Sequence, residues 1–89
     1  MMNDFEAIAS HTRESIDNYV LHGLNPGGFL NAVLANDLSQ AFARADIYNR
    51  MVMFDIVCYV YNKTPADCWG SYEVVNAWLG KFRKEEIKH

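Results

Sequence analysis

With 89 residues, 51% of them hydrophobic, the chain has the composition of one small globular domain, and its net charge of −3 is too low for a disordered protein. The acidic balance disfavours non-specific binding to nucleic acid or anionic membranes, because both attract a basic surface. No apolar run approaches the length of a membrane span, and the first residues lack the pattern of a secretory signal.

The first predicted helix covers residues 4–22. Asn3 is a favourable N-cap, and Glu6 follows three residues later as in a capping box. His22 and Gly23 form a stop signal, because glycine tolerates the left-handed conformation that often follows a helix. The apolar side of this helix comprises Phe5, Ile8, Thr12, Ile16, Tyr19 and Val20.

A short second helix is predicted over residues 26–35, with Asn25 as its cap and Pro26 at its first position. Gly27 and Gly28 weaken its first turn, so we expect a close backbone approach to a neighbouring element there. The residues after it, 36–37, are expected to end this helix and to cap the next one.

Residues 38–62 are predicted to be helical and to form the centre of the fold. One apolar stripe comprises Leu38, Phe42, Ala45, Val52, Ile56 and Tyr59, and a second comprises Ile47, Met51, Phe54, Cys58 and Tyr61. Asp46 is a potential N-cap, and the sequence leaves open whether it splits this region into two helices. Because the second stripe exceeds what a small core needs, a homodimer is also plausible.

The last part of the chain predicts one helical turn and then a final helix. Thr64 and Pro65 begin the turn at residues 66–69, and Gly70 ends it. Ser71 is the expected cap of a helix over residues 72–87. We therefore predict an all-α fold, a compact bundle of four to five helices around a central helix, with residues 1–89 as a single helical domain.

Groups that commonly carry catalysis or bind metals are sparse in this chain. No histidine has a ligand partner at the spacing of a zinc site, and Cys58 and Cys68 are predicted to be buried free thiols. The glycine pair at 27–28 lacks the lysine and the preceding strand of a phosphate loop. We therefore expect no catalytic residue, no metal and no cofactor.

Six residues are the candidates for binding a partner. Four are polar groups within or beside apolar segments, where they must find hydrogen-bond partners. They serve either recognition or helix capping with interhelical bonding, and the sequence leaves both interpretations open. Two aromatic residues are candidates for a surface anchor. The six are Asn36, Asp37, Asp46, Asn49, Trp69 and Tyr72.

Two other functions remain as alternatives. A small-molecule-binding or enzymatic helical module would need a pocket around the four Asn and Asp side chains. A helical DNA-binding regulator would need a basic helix face. Arg44, Arg50 and Lys63 are too sparse for such a face, and the basic residues near the end of the chain are interrupted by Glu85 and Glu86.

The string Pro-Gly-Gly-Phe-Leu-x-Ala-Val-Leu-x-Asn-Asp-Leu at positions 26–38 resembles one found in a family of small proteins of tailed phages and prophages. With Ala45-Asp46-x-x-Asn49, Val60-Tyr61-Asn62, Trp69-Gly70-Ser71 and Trp78, the resemblance covers about two-thirds of the chain. It implies a phage product acting in the cytoplasm of its bacterial host.

Small phage proteins of this size often bind and alter one host or phage protein, as inhibitors of host immunity such as anti-CRISPR proteins do. The resemblance therefore implies a non-enzymatic protein-interaction module whose partner is a host or phage protein. It carries over no catalytic residue, and it does not distinguish host takeover from inhibition of a defence system.

Overall fold

The computed structural model describes residues 5–87, with side chains up to residue 83, and it confirms the all-α prediction because no described residue forms a strand. Six α-helices follow one another along these residues, with a short 3-10 helix, Ala66–Cys68, before the last of them. The α-helices are α1 Ser10–His22, α2 Gly28–Leu34, α3 Leu38–Arg44, α4 Ile47–Met51, α5 Met53–Lys63 and α6 Tyr72–Ile87.

Helix α1 begins at Ser10, so the prediction of a helix from residue 4 is wrong over residues 5–9. Tertiary contacts explain the later start. The carbonyl of Ala7 accepts a hydrogen bond from the Tyr48 hydroxyl, and Ile8 is fully buried in the core. These contacts outweigh the helical tendency of the segment. The proposed capping residue Asn3 lies outside the described residues.

The end of α1 follows the prediction. Gly23 adopts a left-handed conformation with φ 65°, and its N–H group donates to the carbonyl of Tyr19. This glycine also makes the close approach that the sequence assigned to Gly27 and Gly28. A β-carbon at Gly23 would lie 2.3 Å from the ring of Phe82 on α6. One at Gly28 would lie 3.1 Å from the Arg44 guanidinium, whereas Gly27 faces open space.

The region predicted as one helix or two is divided into three. Asp46 is the N-cap of α4 and accepts a hydrogen bond from the backbone N–H of Asn49 at 2.7 Å, so the split at Asp46 is confirmed. A second interruption falls at Val52, with φ −109° and ψ 20°, between α4 and α5. These two breaks raise the number of helices above the expected four or five.

The core lies between α1, α2, α5 and α6. Helix α2 packs against α3 and α6, and it contributes more buried residues than its short length suggested. Of the region 38–62, α5 supplies most of the core, whereas α3 buries only Ala41. The largest fully buried side chains are Tyr19, Ile8, Ile16, Leu34, Ile56, Val60, Val75 and Cys68.

The connection between α5 and α6 differs in detail from the prediction. Pro65 precedes the 3-10 helix as its cap, so it is not the first helical residue, and the Thr64 hydroxyl donates back to the carbonyl of Val60. Ser71 does cap α6, because its hydroxyl accepts from the N–H of Val74 at 3.1 Å. No described helix has the length and apolarity that crossing a membrane requires.

Candidate functional site

The junction between α2 and α3 presents two of the predicted binding residues. Asn36 has φ 64° and is the one described non-glycine residue with a positive φ. Its N–H bonds to the carbonyl of Val33 at 3.1 Å, and the N–H of Asp37 bonds to that of Ala32 at 2.8 Å. This is a Schellman motif, in which asparagine is a tolerated substitute for glycine. The motif fixes the backbone of both residues at the surface.

Asp37 links this junction to the start of α6. One carboxylate oxygen accepts from the N–H of Gln40 at 3.3 Å and caps α3, as predicted. The other oxygen accepts from the Tyr72 hydroxyl at 2.8 Å. Both contacts of Asp37, the cap and the bond to Tyr72, are those that helix capping with interhelical bonding predicts.

Two aromatic rings complete the site. Tyr61 on α5 donates its hydroxyl to the side-chain oxygen of Asn36 at 3.0 Å. Its ring stacks on Trp69, with the ring centres 4.2 Å apart and the planes 14° from parallel. We call the five residues Asn36, Asp37, Tyr61, Trp69 and Tyr72 the tyrosine cluster. It contains four of the six candidates from the sequence.

Backbone contacts hold the tyrosine cluster together. The N–H of Gly70 donates to the carbonyl of Leu34 at 2.7 Å and joins the segment after the 3-10 helix to the end of α2. Tyr19 donates its hydroxyl to the carbonyl of Cys68 at 2.7 Å from inside the core. These bonds place Trp69 between the core and Tyr61, so the cluster is an ordered extension of the core.

The charge distribution makes Tyr72 a hydrogen-bond donor at neutral pH. Its hydrogen bond to the Asp37 carboxylate, together with desolvation and the negative charge of that group, raises the pKa of Tyr72. Arg44 acts in the opposite direction but does not cancel this effect. The phenol is therefore fully protonated near pH 7 and is unsuited to act as a base.

The remaining candidates lie apart from the cluster in the bonding network. Asp46 and Asn49 interact with each other at the start of α4, and among the described residues no hydrogen bond links them to Asn36 or Asp37. The side-chain oxygen of Asn49 is buried without a partner. The four polar residues therefore form two separate capping pairs rather than one set.

Sequence reasoning missed Tyr61 and overestimated the exposure of Trp69. Tyr61 belonged to an apolar stripe, and only the reversal of the chain at Pro65 brings it to Trp69. Trp69 is half-buried, and its indole N–H is buried without a partner. The proline and Gly70 that flank the 3-10 helix are the sequence signal that could have paired the two rings.

The chemistry available elsewhere in the described region is limited. Among residues 5–83, whose side chains the structure describes, no group of three His, Cys, Asp or Glu side chains could hold a metal ion. Both cysteines are free, as predicted, but only Cys68 is buried and Cys58 is partly exposed. Desolvation raises the pKa of the Cys68 thiol, so this group is a poor nucleophile.

Comparison with known proteins adds no relative to this description. No protein-family model, curated protein or solved structure matches the chain.

Proposed function

We propose that this protein is a non-enzymatic protein-interaction module that binds its partner through the tyrosine cluster. The observation that carries the proposal is that Asn36 and Asp37, from the junction of α2 and α3, lie in one surface site with Trp69 and Tyr72, which are more than 30 residues further along the chain.

The residue types in the cluster are those that dominate protein–protein interfaces. Tyrosine and tryptophan supply a large contact area at a low entropic cost and are enriched among the residues whose truncation costs most. Tyr61 and Tyr72 are each 46% exposed, which leaves ring surface for a partner. Their hydroxyls are already held by Asn36 and Asp37, so little side-chain freedom is lost on binding.

The cluster also indicates what its partner must offer. The amide nitrogen of Asn36 makes no hydrogen bond with any described residue, so it can donate to a carbonyl or carboxylate of the partner. The phenol rings suit an apolar or guanidinium surface. The phage resemblance supports a host or phage protein as the partner and the bacterial cytoplasm as the place of action.

The proposal is tested by affinity capture with the tagged protein from host lysate, before and after phage infection. Tyr72→Ala and Asn36→Gly each remove an exposed side chain of the cluster, and Phe42→Ala is the matched control because Phe42 is an exposed aromatic residue outside the cluster. We expect one stoichiometric partner, bound about tenfold or more weakly by the two cluster variants.

The control separates a binding defect from a general loss of structure. Phe42→Ala is expected to retain the partner at the wild-type level, and circular dichroism of all three variants checks that their helices are intact. The proposal is wrong if the captured partner binds the cluster variants as tightly as the wild type, or if folded bait retains no partner from either lysate.

A further inference from the structure

Helices α4 and α5 leave a row of apolar side chains uncovered on the side opposite the core. Ile47, Met51 and Phe54 are 74%, 78% and 79% exposed. On the inner side of the same helices, Val52, Met53, Ile56 and Val60 are buried. The inner and outer faces keep their helical phase across the break at Val52, so the exposed residues form one continuous row.

The spacing of this row is that of a helix that pairs with another helix. Ile47, Met51, Phe54 and Cys58 are separated by four, three and four residues, which is the d, a, d, a pattern of the heptad repeat. We call these four residues the α4–α5 stripe. The next d position is Tyr61, which is engaged in the tyrosine cluster, so the stripe ends at Cys58.

Two opposite charges flank the α4–α5 stripe, one on each side. Arg50 precedes Met51 and occupies position g, and Asp55 follows Phe54 and occupies position e. Neither side chain forms an ion pair or a hydrogen bond with any described residue. In paired helices, positions e and g carry the charges that select the partner and its direction.

These charges select one arrangement for a second copy. In a parallel pair, position g of one helix faces the e position that lies five residues further along the other helix, so Arg50 meets the partner's Asp55 and Asp55 meets the partner's Arg50. In an antiparallel pair, like positions meet, and two arginines or two aspartates face each other. The parallel arrangement has two favourable ion pairs, whereas the antiparallel arrangement has two repulsive contacts, so the charges favour the parallel arrangement.

We propose that this protein forms a homodimer through the α4–α5 stripe, with the two copies of α4 and α5 parallel. In this arrangement each a and d residue packs against its own counterpart, so Met51, Phe54 and Cys58 lie along the two-fold axis. The partner is a second copy because the stripe, with its g and e charges, is complementary to itself.

A surface groove beside the α4–α5 stripe can hold the ion pair between Asp55 and the partner's Arg50. It has a volume of about 390 Å³ and is lined by Phe5, Phe54, Asp55, Cys58 and Asn62. Asp55 is the one carboxylate among these lining residues, and it lies half-buried at the edge of the stripe. The partner's Arg50 enters this groove to reach Asp55, and its aliphatic stem covers the exposed face of Phe54.

The stripe has a limited area, so the dimer is expected to be weak. Four side chains do not cover the roughly 800 Å² per partner of a standard interface. We expect a dissociation constant between about 1 μM and about 1 mM. Because the α4–α5 stripe and the tyrosine cluster share no residue, this inference does not depend on the proposed function.

Analytical ultracentrifugation of the full chain at up to about 1 mM tests self-association. The wild type is expected to shift from monomer to dimer with concentration, and Phe54→Glu is expected to weaken the dimer about 100-fold, with unchanged helicity by circular dichroism. A wild type that remains monomeric over the whole range overturns the proposal, and so does a dimer that Phe54→Glu leaves intact.

Charge exchange tests the parallel direction. Arg50→Glu alone and Asp55→Lys alone each place like charges together and are expected to weaken the dimer about tenfold. The double variant Arg50→Glu/Asp55→Lys restores both pairs in a parallel homodimer and regains wild-type association. An antiparallel dimer gives a different result. Its single variants associate at least as strongly as the wild type, and the double variant associates no more strongly than the wild type.

The free thiol of Cys58 gives an independent readout of direction. In the parallel pair, Cys58 faces the partner's Cys58, so diamide should convert the two thiols to a disulfide while the diamide is reduced to its hydrazine. Covalent dimer on a non-reducing gel, absent in Cys58→Ser, is the expected result; Cys68 is fully buried and does not compete. Dimer in solution without this cross-link overturns the parallel arrangement.

Discussion

Two groups of aromatic residues in this molecule use the same chemistry for opposite purposes. In the interior, the Trp78 indole donates to the carbonyl of Tyr19 at 3.0 Å, and the Tyr19 hydroxyl donates to the carbonyl of Cys68 at 2.7 Å. In the tyrosine cluster, the hydroxyls of Tyr61 and Tyr72 donate to side chains instead. The interior bonds run from side chains to backbone carbonyls, whereas the surface bonds join exposed side chains to each other.

This difference separates structural aromatics from candidate binding ones. A buried donor needs its acceptor, because an unpaired polar group away from water costs about 1–3 kcal/mol. An exposed donor can exchange its acceptor for water at a small cost. Disrupting the interior group is therefore expected to destabilise the fold, whereas changing the tyrosine cluster should affect binding more than stability.

The largest expected effect is that of Tyr19→Ala. This substitution removes a fully buried ring and leaves the carbonyl of Cys68 without its partner, so we expect a loss of about 3–5 kcal/mol. Urea unfolding followed by circular dichroism measures it. Tyr72→Ala is the matched surface substitution and should cost about 1 kcal/mol or less. Equal losses at the two positions would contradict the division between the groups.

The next effect concerns the packing of α6 against the end of α1. Gly23→Ala requires a left-handed alanine and a shift of the Phe82 ring, and we expect a loss of about 2–3 kcal/mol. Gly27→Ala is the control, since Gly27 has φ 97° but faces open space. It experiences backbone strain alone and should cost less in the same urea experiment. A smaller loss for Gly23→Ala than for Gly27→Ala would exclude the close approach as the reason for glycine at this position.

Local signals predicted several helix ends, but the prediction that Asn25 caps a helix starting at Pro26 was wrong, because α2 begins at Gly28. Gly23, Asp37, Asp46 and Ser71 all act at the ends of helices where the sequence placed them. Each of these signals depends on one residue and its nearest neighbours, which explains why a single sequence is sufficient. The start of α1 was wrong because distant residues decide it: Tyr48 holds the carbonyl of Ala7 from 41 positions away.

The candidate site shows the same limit. Residue types alone drew attention to Asn36, Asp37, Trp69 and Tyr72, and the hydrogen bonds and ring contacts join them through Tyr61. The contact of Tyr61 with Trp69 requires the chain reversal between α5 and α6, for which Pro65 and Gly70 are the sequence signal. The same reasoning grouped Asp46 and Asn49 with Asn36, since spacing along the chain does not measure distance between separate helices.

A smaller effect appears at alkaline pH and comes from tyrosines outside the cluster. Burial, followed by the hydrogen bond to Asp17, raises the pKa of Tyr59 from 10.0 to about 12, and burial also raises the pKa of Tyr19. The unfolded chain ionises these phenols first, so their contribution to stability is complete below about pH 10 and is lost as the pH rises through about 12. Urea midpoints from pH 8 to pH 11 should fall, and Tyr59→Phe should reduce that fall. An unchanged slope in Tyr59→Phe would rule out this tyrosine as a source.

The smallest expected effect on stability is also the sharpest test of the comparison. Asn36→Gly removes an exposed amide from a left-handed position that glycine adopts without strain, so the loss of the bond to Tyr61 is offset. The free energy of unfolding measured in urea should therefore change by about 0.5 kcal/mol or less. Asn36→Ala is the paired variant: it also lacks the amide but is strained at φ 64°, and it should cost about 1 kcal/mol. If the tyrosine cluster binds a partner, both variants lose affinity to a similar degree although only one loses stability. Affinity that follows stability across the pair would instead make Asn36 a helix cap with no part in recognition.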